Sequence, residues 1–543
     1  MRNRAAVVLA VTAGLALAAC TGAPPPTTGS TSAAPAEFTV LTKAPTTDAG
    51  ALTWALYREL QTLDPIQAFD YPENTVDSLL CDALLRQAPD MTIGDGLATL
   101  KQVDATTLQF TIKPGAAFWD GKPVTSADVV FSLQRAADPK GVGYYAGTFT
   151  RVKEVKALDT STVQLTLSQP DQWLLGELSA TPGMVVEKEF AEKAGDKFGT
   201  VQGLTMCSGP FKIESWATGS GITVVPNTAY WDSSLPKPKF TKMTLVGVPD
   251  EAALTAGLQT GTISGTFLAN PLATLEKLRT NPDVQVFQGA PFAADAMVVS
   301  ATKGPMADAR VRQALSYALD RKGIISTLWH GAGLVPHALQ AQGTWGSAQD
   351  VFQAGWDALP PLEQDLAKAK ELIKAAGVEG QSVIIGTSSG SNSINAEALA
   401  YRAAAEAIGL KVEFKDVSPD NFINFFIDPA AWSSVDMFPT TNYGDYADPS
   451  ALYKTMALEG GSQDFSGWSD PAVTAALDAA RAEPDAAKRA QHVVDAQKII
   501  TEQMVWIPTA SPNAVLVMHK GITGAPSTFS YMFGPWAVYL GGS

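Results

Sequence analysis

Alternation of apolar and polar positions predicts two β-hairpins in the first third of the chain. Residues 99–114 and 151–168 alternate around short polar turns, Asp-Ala-Thr-Thr in the first and Asp-Thr-Ser-Thr in the second. Successive side chains of a strand point to opposite faces, so this pattern is typical of strands with one buried face. We expect each segment to form a pair of antiparallel strands.

Helical spacing replaces this alternation later in the chain. In residues 308–321 the apolar positions recur every three or four residues, and Asp308 suits a helix N-cap. Residues 365–376 repeat the spacing and stop at Gly377, which is a typical C-cap. Both segments are predicted to be half-buried helices.

A strand, loop, helix and strand follow one another in the second half. The predicted elements are a strand at Ser382–Ile385, a Gly/Ser loop at 386–392, a helix at about 394–408, a strand at Lys411–Phe414, and helices at 471–482 and 485–504. Strands that alternate with helices usually form a parallel sheet. The predicted fold class is therefore α/β.

Composition narrows the function classes. The 543 residues include 39 Lys plus Arg against 54 Asp plus Glu, a formal net charge of −15, and no Lys/Arg cluster that would follow a phosphate backbone. Nucleic acid is therefore not expected as a partner. With 3 Cys, 4 His and no C-x-x-C pair, the chain offers poor material for a metal centre, so neither a metal site nor another cofactor is expected.

The first twenty residues predict export. Two arginines precede an apolar run from Ala5 to Ala19, and Cys20 follows, as in a secretory signal peptide. Leu17-Ala18-Ala19-Cys20 resembles the bacterial lipobox, which implies cleavage before Cys20 and lipid on its sulfur. Residues 1–19 are then a signal peptide, and 20–35 are the lipidated cysteine and a flexible Pro/Gly-rich linker. The alternative is an ordinary secretory peptide with a chance cysteine.

Cys81 and Cys207 are the thiols left in the exported body of the protein. An oxidising compartment favours pairing them, and two cysteines allow one connectivity. A separation of 126 residues says nothing about their distance in space. Two separate buried thiols are the alternative.

Five segments carry a family pattern. They are Leu63-Asp64-Pro65 with a following helix that carries Leu80 to Leu85, Phe118 to Ser132, Ser208 to Lys212 with Asn227 to Trp231 after it, Asp308 to Arg321, and Asp445 to Pro449. Together they resemble the extracytoplasmic solute-binding proteins of family 5, the oligopeptide-, dipeptide- and nickel-binding lipoproteins of ATP-binding-cassette importers. Within the second and most specific segment, Ser126 is expected to cap a helix.

The resemblance implies a two-lobed periplasmic-binding-protein-like fold with a hinge and an extra inserted domain, the cluster C type. The expected bounds are 36–84, 204–294 and 509–543 for a discontinuous lobe I, 85–203 for the inserted domain, and 295–508 for lobe II. A solute would be enclosed when the lobes close.

The resemblance also implies a function. The protein would be a monomer without enzymatic activity, lipid-anchored on the extracytoplasmic face of the bacterial cell membrane, that delivers a di- or oligopeptide to an ATP-binding-cassette permease. In peptide-binding members the aspartate of the fifth segment pairs with the α-ammonium of the peptide, which assigns Asp445 here. The extended run before it adds Thr441, Asn442 and Tyr443 as expected ligand contacts. An Asx-turn or cap aspartate is the other interpretation of Asp445.

Two departures from the pattern keep a second ligand class open. Thr441-Asn442 stands where a Gly-Trp pair is common, and Pro439 lacks a backbone donor. A non-peptide solute, such as a metal chelate, haem or a sugar-like molecule, is the alternative. A signalling or chaperone lipoprotein on the same scaffold is a third class, because a fold does not dictate function.

An enzyme is the remote alternative. Residues 386–390 fit the G-x-S-x-G nucleophile motif, which would make Ser388 the nucleophile of a secreted serine hydrolase. Such an enzyme needs a histidine downstream, and His492 and His519 are the candidates. The simpler interpretation is a strand-to-helix loop with an N-cap at Ser391 or Asn392.

Overall fold

The computed structural model describes residues 38–301 and 303–543. Residues from Phe38 onward form one compact unit. The predictions for the signal peptide, Cys20 and the linker lie outside the described residues. In this described part, no helix is both long and apolar enough to cross a membrane.

Three separate stretches of the chain build a mixed seven-stranded sheet, which we call lobe I together with the helices packed on it. Its two central strands are parallel and in register from Ala51 opposite Lys242 to Leu56 opposite Gly247. In sheet order the strands are Val284–Gly289, Ala514–His519, Gly265–Leu268, Ala51–Leu56, Lys242–Gly247, Gly221–Pro226 and Phe211–Ala217.

A six-stranded sheet forms the second body, which we call lobe II. Strands Ala294–Val299 and Trp506–Pro512 are buried along their whole length, as expected for strands covered on both faces. In sheet order the strands are Gly333–Leu334, Trp506–Pro512, Ala294–Val299, Met437–Asn442, Ser382–Thr387 and Lys411–Asp416.

The two predicted hairpins share one antiparallel sheet, which we call the inserted domain together with its helices. Its strands, in sheet order, are Ala98–Asp104, Thr107–Ile112, Thr162–Leu167 and Val152–Ala157, and both hairpin predictions are confirmed. Two small ladders complete the strands, Leu85–Gln87 with Ile93–Asp95 and Ile522–Thr523 with Gly541–Gly542. The limits of the three domains stay a prediction.

The α-helices divide unevenly among these bodies. Lobe I carries Tyr71–Leu80, Glu251–Thr260 and Leu275–Arg279, and the inserted domain carries Ser126–Ala137, Trp173–Glu177 and Lys188–Ala194. Lobe II carries Ala309–Ala318, Arg321–Thr327, Gln349–Asp357, Leu366–Ala376, Asn392–Ala407, Pro419–Phe422, Asn424–Ile427, Pro429–Trp432, Ser450–Met456, Pro471–Ala482 and Ala486–Gln503. The helices predicted from sequence in lobe II are thus confirmed, with ends shifted by at most three residues.

Two details of the sequence prediction are wrong. The helix at 126–137 is capped by Thr125 rather than Ser126, because Thr125 and Asp128 bond each other's backbone N–H groups in a capping box. The helix before Leu85 ends at Leu80, since Cys81 takes an extended conformation and Leu85 begins a strand. Extended backbone at Cys81 directs the chain towards the inserted domain.

The chain passes between the lobes in two short segments. Residues 290–293 join strand Val284–Gly289 of lobe I to strand Ala294–Val299 of lobe II, and Asn513 alone separates strands Trp506–Pro512 and Ala514–His519. The side-chain amide of Asn513 donates to the side chain of Gln288 at 2.5 Å. Gln288 lies in the strand that leads into residues 290–293, so this bond ties one crossing to the strand before the other. Few residues therefore absorb any relative motion of the lobes.

A disulfide and a buried carboxylate fasten the start of the inserted domain to lobe I. The structure joins Cys81 to Cys207 with their Cα atoms 4.9 Å apart. Beside them, Asp82 is 5% exposed and accepts hydrogen bonds from three side chains that follow Cys207, besides a longer one from Arg86 at 3.4 Å. The donors are Ser208 at 3.0 Å, Tyr230 at 2.8 Å and Trp231 at 3.0 Å, which all follow Cys207 in the family segment noted above.

The disulfide yields a testable prediction. Because the bond closes a long loop in the unfolded chain, its reduction should lower the free energy of unfolding by roughly 3–5 kcal/mol. The measurement is thermal unfolding of the oxidised and reduced protein, with alkylation and intact mass to count thiols. Two alkylated core cysteines in denatured, unreduced protein would contradict the bond.

Candidate functional site

The loop that follows strand Met437–Asn442 places Asp445 between the lobes. Asp445 is half-buried, and its backbone oxygen accepts a hydrogen bond from the Gln87 side chain of the inserted domain at 2.7 Å. Within the described residues, no group donates to its carboxylate and no Lys, Arg or His pairs with it. The carboxylate is thus the part of the loop that is available to a ligand.

Burial changes the chemistry of this carboxylate. Desolvation raises the pKa of Asp445 from its ordinary value of 3.8 to about 7. A desolvated carboxylate without a counter-charge is costly, and a cation that reaches it recovers much of that cost. The group is therefore suited to hold a positively charged end of a solute.

The other three predicted contacts are engaged with the protein itself. The Tyr443 hydroxyl donates to the backbone oxygen of Phe69 in lobe I at 3.0 Å. The Asn442 amide donates to Gln463 at 3.3 Å, and the Thr441 hydroxyl lies 3.5 Å from an Asp295 oxygen. The structure brings all four predicted residues to one loop end, and of these four the Asp445 carboxylate is the one with no partner among residues 38–301 and 303–543.

Aromatic side chains from both lobes meet beside this loop. The ring of Tyr443 packs edge-on against Tyr71 of lobe I, with centroids 4.7 Å apart, and at a tilt against Phe529 of the same lobe, with centroids 5.0 Å apart. Behind them lies a cavity of about 20 Å³, room for about one water molecule. The lobes therefore touch across the cleft through aromatic rings, and the two tyrosine rings carry polar tips that suit a partly hydrated binding site.

The charged groups around these rings are acidic. Burial first, and then nearby carboxylates and tyrosines, raises the pKa of Tyr71, Tyr145 and Tyr443, which stay neutral hydroxyls. The carboxylates concerned are Asp70, Asp77, Asp295 and Asp445. On lobe I, Arg58 is already bound by Asp70 at 2.6 Å and by Glu73 at 2.7 Å. The electrostatic surroundings favour a cation over an anion.

The role of the inserted domain at this loop is not visible in the sequence. Gln87 lies in a three-residue strand, 358 residues away from the loop to which it donates. Tyr446, next to Asp445, packs where a side chain on Gly176 would stand. Contacts between domains this distant along the chain leave no local pattern, so sequence periodicity could not find them.

The hydrolase prediction gains no geometric support. The Ser388 hydroxyl is fully buried and, among the described residues, has no hydrogen-bond partner. Ser391 is the N-cap of helix Asn392–Ala407, as in the simpler interpretation. His492 lies in helix Ala486–Gln503 and His519 in a strand of lobe I, whereas Ser388 belongs to lobe II.

Metal ligands are also scattered. His337 directs its Nδ1 atom to the backbone oxygens of Trp356 and Leu359, at 2.9 and 2.6 Å. In the part of the chain that the structure describes, no three His, Cys, Asp or Glu side chains are grouped so as to hold a metal ion.

Comparison with known proteins places these observations in a family. Residues 93–464 match the model of the bacterial extracellular solute-binding proteins, family 5 Middle. The periplasmic murein peptide-binding protein MppA of Escherichia coli K12 is 29% identical over 477 residues, which cover 83% of this chain and 85% of MppA.

Solved structures share the fold. The Helicobacter pylori periplasmic binding protein DppA, in complex with the peptide STSA, matches with a TM-score of 0.78 and 22% identity over 91% of this chain and 98% of DppA. AgaA from A. tumefaciens R10, in complex with agropinic acid, matches with a TM-score of 0.79 and 24% identity over 91% of this chain and 99% of AgaA. The chain has the two-lobed periplasmic binding protein fold and belongs to the bacterial extracellular solute-binding proteins of family 5.

Proposed function

We propose that the protein captures a peptide between lobes I and II and delivers it to an ATP-binding-cassette importer. The observation that carries this proposal is the unpaired Asp445 carboxylate in the cleft. A charge-assisted bond from an α-ammonium would satisfy it, and such bonds are stronger when they are enclosed than at a surface. The name of the relative MppA, a murein peptide-binding protein, supports a peptide as the ligand class.

The strand before the loop offers a second reason for a peptide. Strand Met437–Asn442 pairs along its full length with Ala294–Val299 on one side. On its other side, the described register with strand Ser382–Thr387 contains a single pair, Ile385 with Met437. Extended peptides bind to such exposed strand edges as an added strand. The hydrogen bonds then form with the main chain of the peptide and not with its side chains. Thr441, Asn442 and Tyr443 would then act chiefly through their backbone.

A non-peptide solute is the competing ligand class. Pro439 removes one backbone donor from the strand, and the fold accommodates agropinic acid in AgaA as well as a peptide in DppA. Asp445 would hold the positive end of either kind of solute. The experiments below separate the two.

Replacing Asp445 by Asn tests the site. Asp445→Asn keeps the shape and removes the charge, so a bound ammonium would be buried without its partner, and affinity should fall by about 2–5 kcal/mol. The measurement is calorimetric titration of both proteins with a small peptide library. Without solute at pH 8 the variant should melt no lower than the native protein, because it no longer buries an unpaired charge.

Asp448→Asn is the matched control for this experiment. Asp448 lies three residues further along the loop, and its carboxylate already accepts the backbone N–H of Ser450 at 2.8 Å, a role that Asn also fills. This variant should bind with nearly native affinity. Equal affinities for native protein and Asp445→Asn would remove Asp445 from the site, and no binding of any peptide would favour the non-peptide class.

The raised pKa of Asp445 predicts a pH dependence of binding. The ionised carboxylate is the form that pairs with a cation, and it predominates only above pH about 7 in the solute-free protein. Affinity for a peptide should therefore be roughly tenfold lower at pH 6 than at pH 7.5, where an α-ammonium is still mostly protonated. Titrations across this range should show the change in native protein and not in Asp445→Asn. A flat profile in both would contradict the assignment.

Lipid anchoring at Cys20 is part of the proposed function. Cys20 ends the predicted signal peptide, and acyl chains on it would hold the protein beside a permease on the outer face of the membrane. Cys20→Ala should move the protein from the membrane fraction to the soluble extracytoplasmic fraction. Membrane association that persists in this variant after a salt wash would refute the anchor.

A further inference from the structure

The helix Trp173–Glu177 of the inserted domain, which we call the clasp helix, is embedded in lobe II. The Trp173 side chain is 3% exposed and belongs to a hydrophobic cluster whose other buried members all come from lobe II. The backbone N–H of Gln172, just before the helix, donates to the oxygen of Arg481 at 2.8 Å. An element of one domain thus completes the core of another.

Three ion pairs surround this helix. Arg481 binds Asp171 at 2.6 Å, Arg151 binds Asp478 at 2.8 Å, and Lys454 binds Glu177. Each pair joins the inserted domain to lobe II. Arg481 also lies over the Trp173 ring, 5.2 Å from its centroid, which is within cation–π range. Apolar burial and charge pairing therefore act on the same interface.

Two contacts of this interface reach the Asp445 loop directly. The Gln87 side chain, 1% exposed, donates from Nε2 to the Asp445 backbone oxygen at 2.7 Å, and its own Oε1 has no partner among the described residues. The Tyr446 ring lies against Gly176, so that a methyl group on Gly176 would stand 2.4 Å from Tyr446 Cγ. Only glycine at position 176 allows this approach without displacement.

We propose that the inserted domain is a clasp that positions the Asp445 loop, with Gln87 and Gly176 as positioning residues. This proposal depends on the proposed function in one respect, namely that the Asp445 loop holds the solute. If lobe II moved away from the inserted domain, Trp173 would become exposed, the three ion pairs would separate and the loop would lose its contacts with Gln87 and Gly176. Contacts between lobe II and the inserted domain stabilise the closed protein, in which the lobes enclose the solute. Losing these contacts should therefore mainly raise the rate at which the solute dissociates.

Gly176→Ala is the sharpest test, because it adds one methyl group at the clasp. In a helix, Gly→Ala ordinarily stabilises by up to about 1 kcal/mol, so helix propensity alone predicts an unchanged or more stable protein. The clasp predicts the opposite effect on closure, since the methyl group collides with Tyr446. Gly147→Ala is the matched control: Gly147 lies in the same domain and its Cβ position is open.

Closure is measured without any solute. Spin labels at Val142 of the inserted domain and Leu399 of lobe II, both exposed, report the distance between the two bodies by pulsed electron resonance in the secreted Cys20→Ala chain. Gly176→Ala should shift the distribution to longer distances, Gly147→Ala should not, and Gly176→Ala with Tyr446→Ala should restore the native distribution. Identical distributions for Gly176→Ala and native protein would overturn the clasp.

Solute release supplies the second measurement. With tri-alanine as the probe, Gly176→Ala and Gln87→Ala should raise the dissociation rate at least about tenfold and leave the association rate within about threefold. Gln109→Ala is the control for Gln87→Ala, because Gln109 bonds Gln164 within the sheet of the inserted domain. Unchanged dissociation rates for both variants would overturn the clasp. If tri-alanine binds none of the proteins, the peptide function is at fault, and the spin-label distances still decide the clasp.

Discussion

An unpaired carboxylate between two lobes is the constraint on which the rest of this structure depends. The described residues supply the Asp445 carboxylate with no hydrogen-bond donor and no cation, and burial raises its pKa to about 7. Proteins seldom bury a carboxylate unless a ligand pairs with its charge or a proton neutralises it. The aromatic rings and carboxylates around the cleft are consistent with this need, because none of them offers Asp445 a counter-charge.

The architecture makes such a site possible. Two short crossings, residues 290–293 and Asn513, join lobes that otherwise have their own sheets and cores. The disulfide and the Asp82 hydrogen bonds fix the inserted domain to lobe I, so that lobe I and the inserted domain offer one surface to lobe II. A loop at the end of a lobe II strand then meets lobe I and the inserted domain together, and a solute bound there would contact all three.

Local signals in the sequence were enough for most elements, and for the family. Alternation found the two hairpins, and helical spacing with caps such as Asp308 and Gly377 found the long helices, because these patterns depend on residues close in the chain. Ser126 was misplaced as a cap because its neighbour Thr125 is equally suited and only the bond with Asp128 distinguishes them. Gln87, Gly176 and Trp173 could not be found, since their importance arises from partners hundreds of residues away.

The most direct measurement is the crystal structure of the protein with the solute that co-purifies with it, identified by mass spectrometry. The account predicts a primary or secondary ammonium nitrogen within hydrogen-bond distance, about 2.7–3.0 Å, of an Asp445 carboxylate oxygen, with both lobes and the inserted domain around it. A solute bound elsewhere in the cleft, with Asp445 facing water or paired with a protein cation, would contradict it.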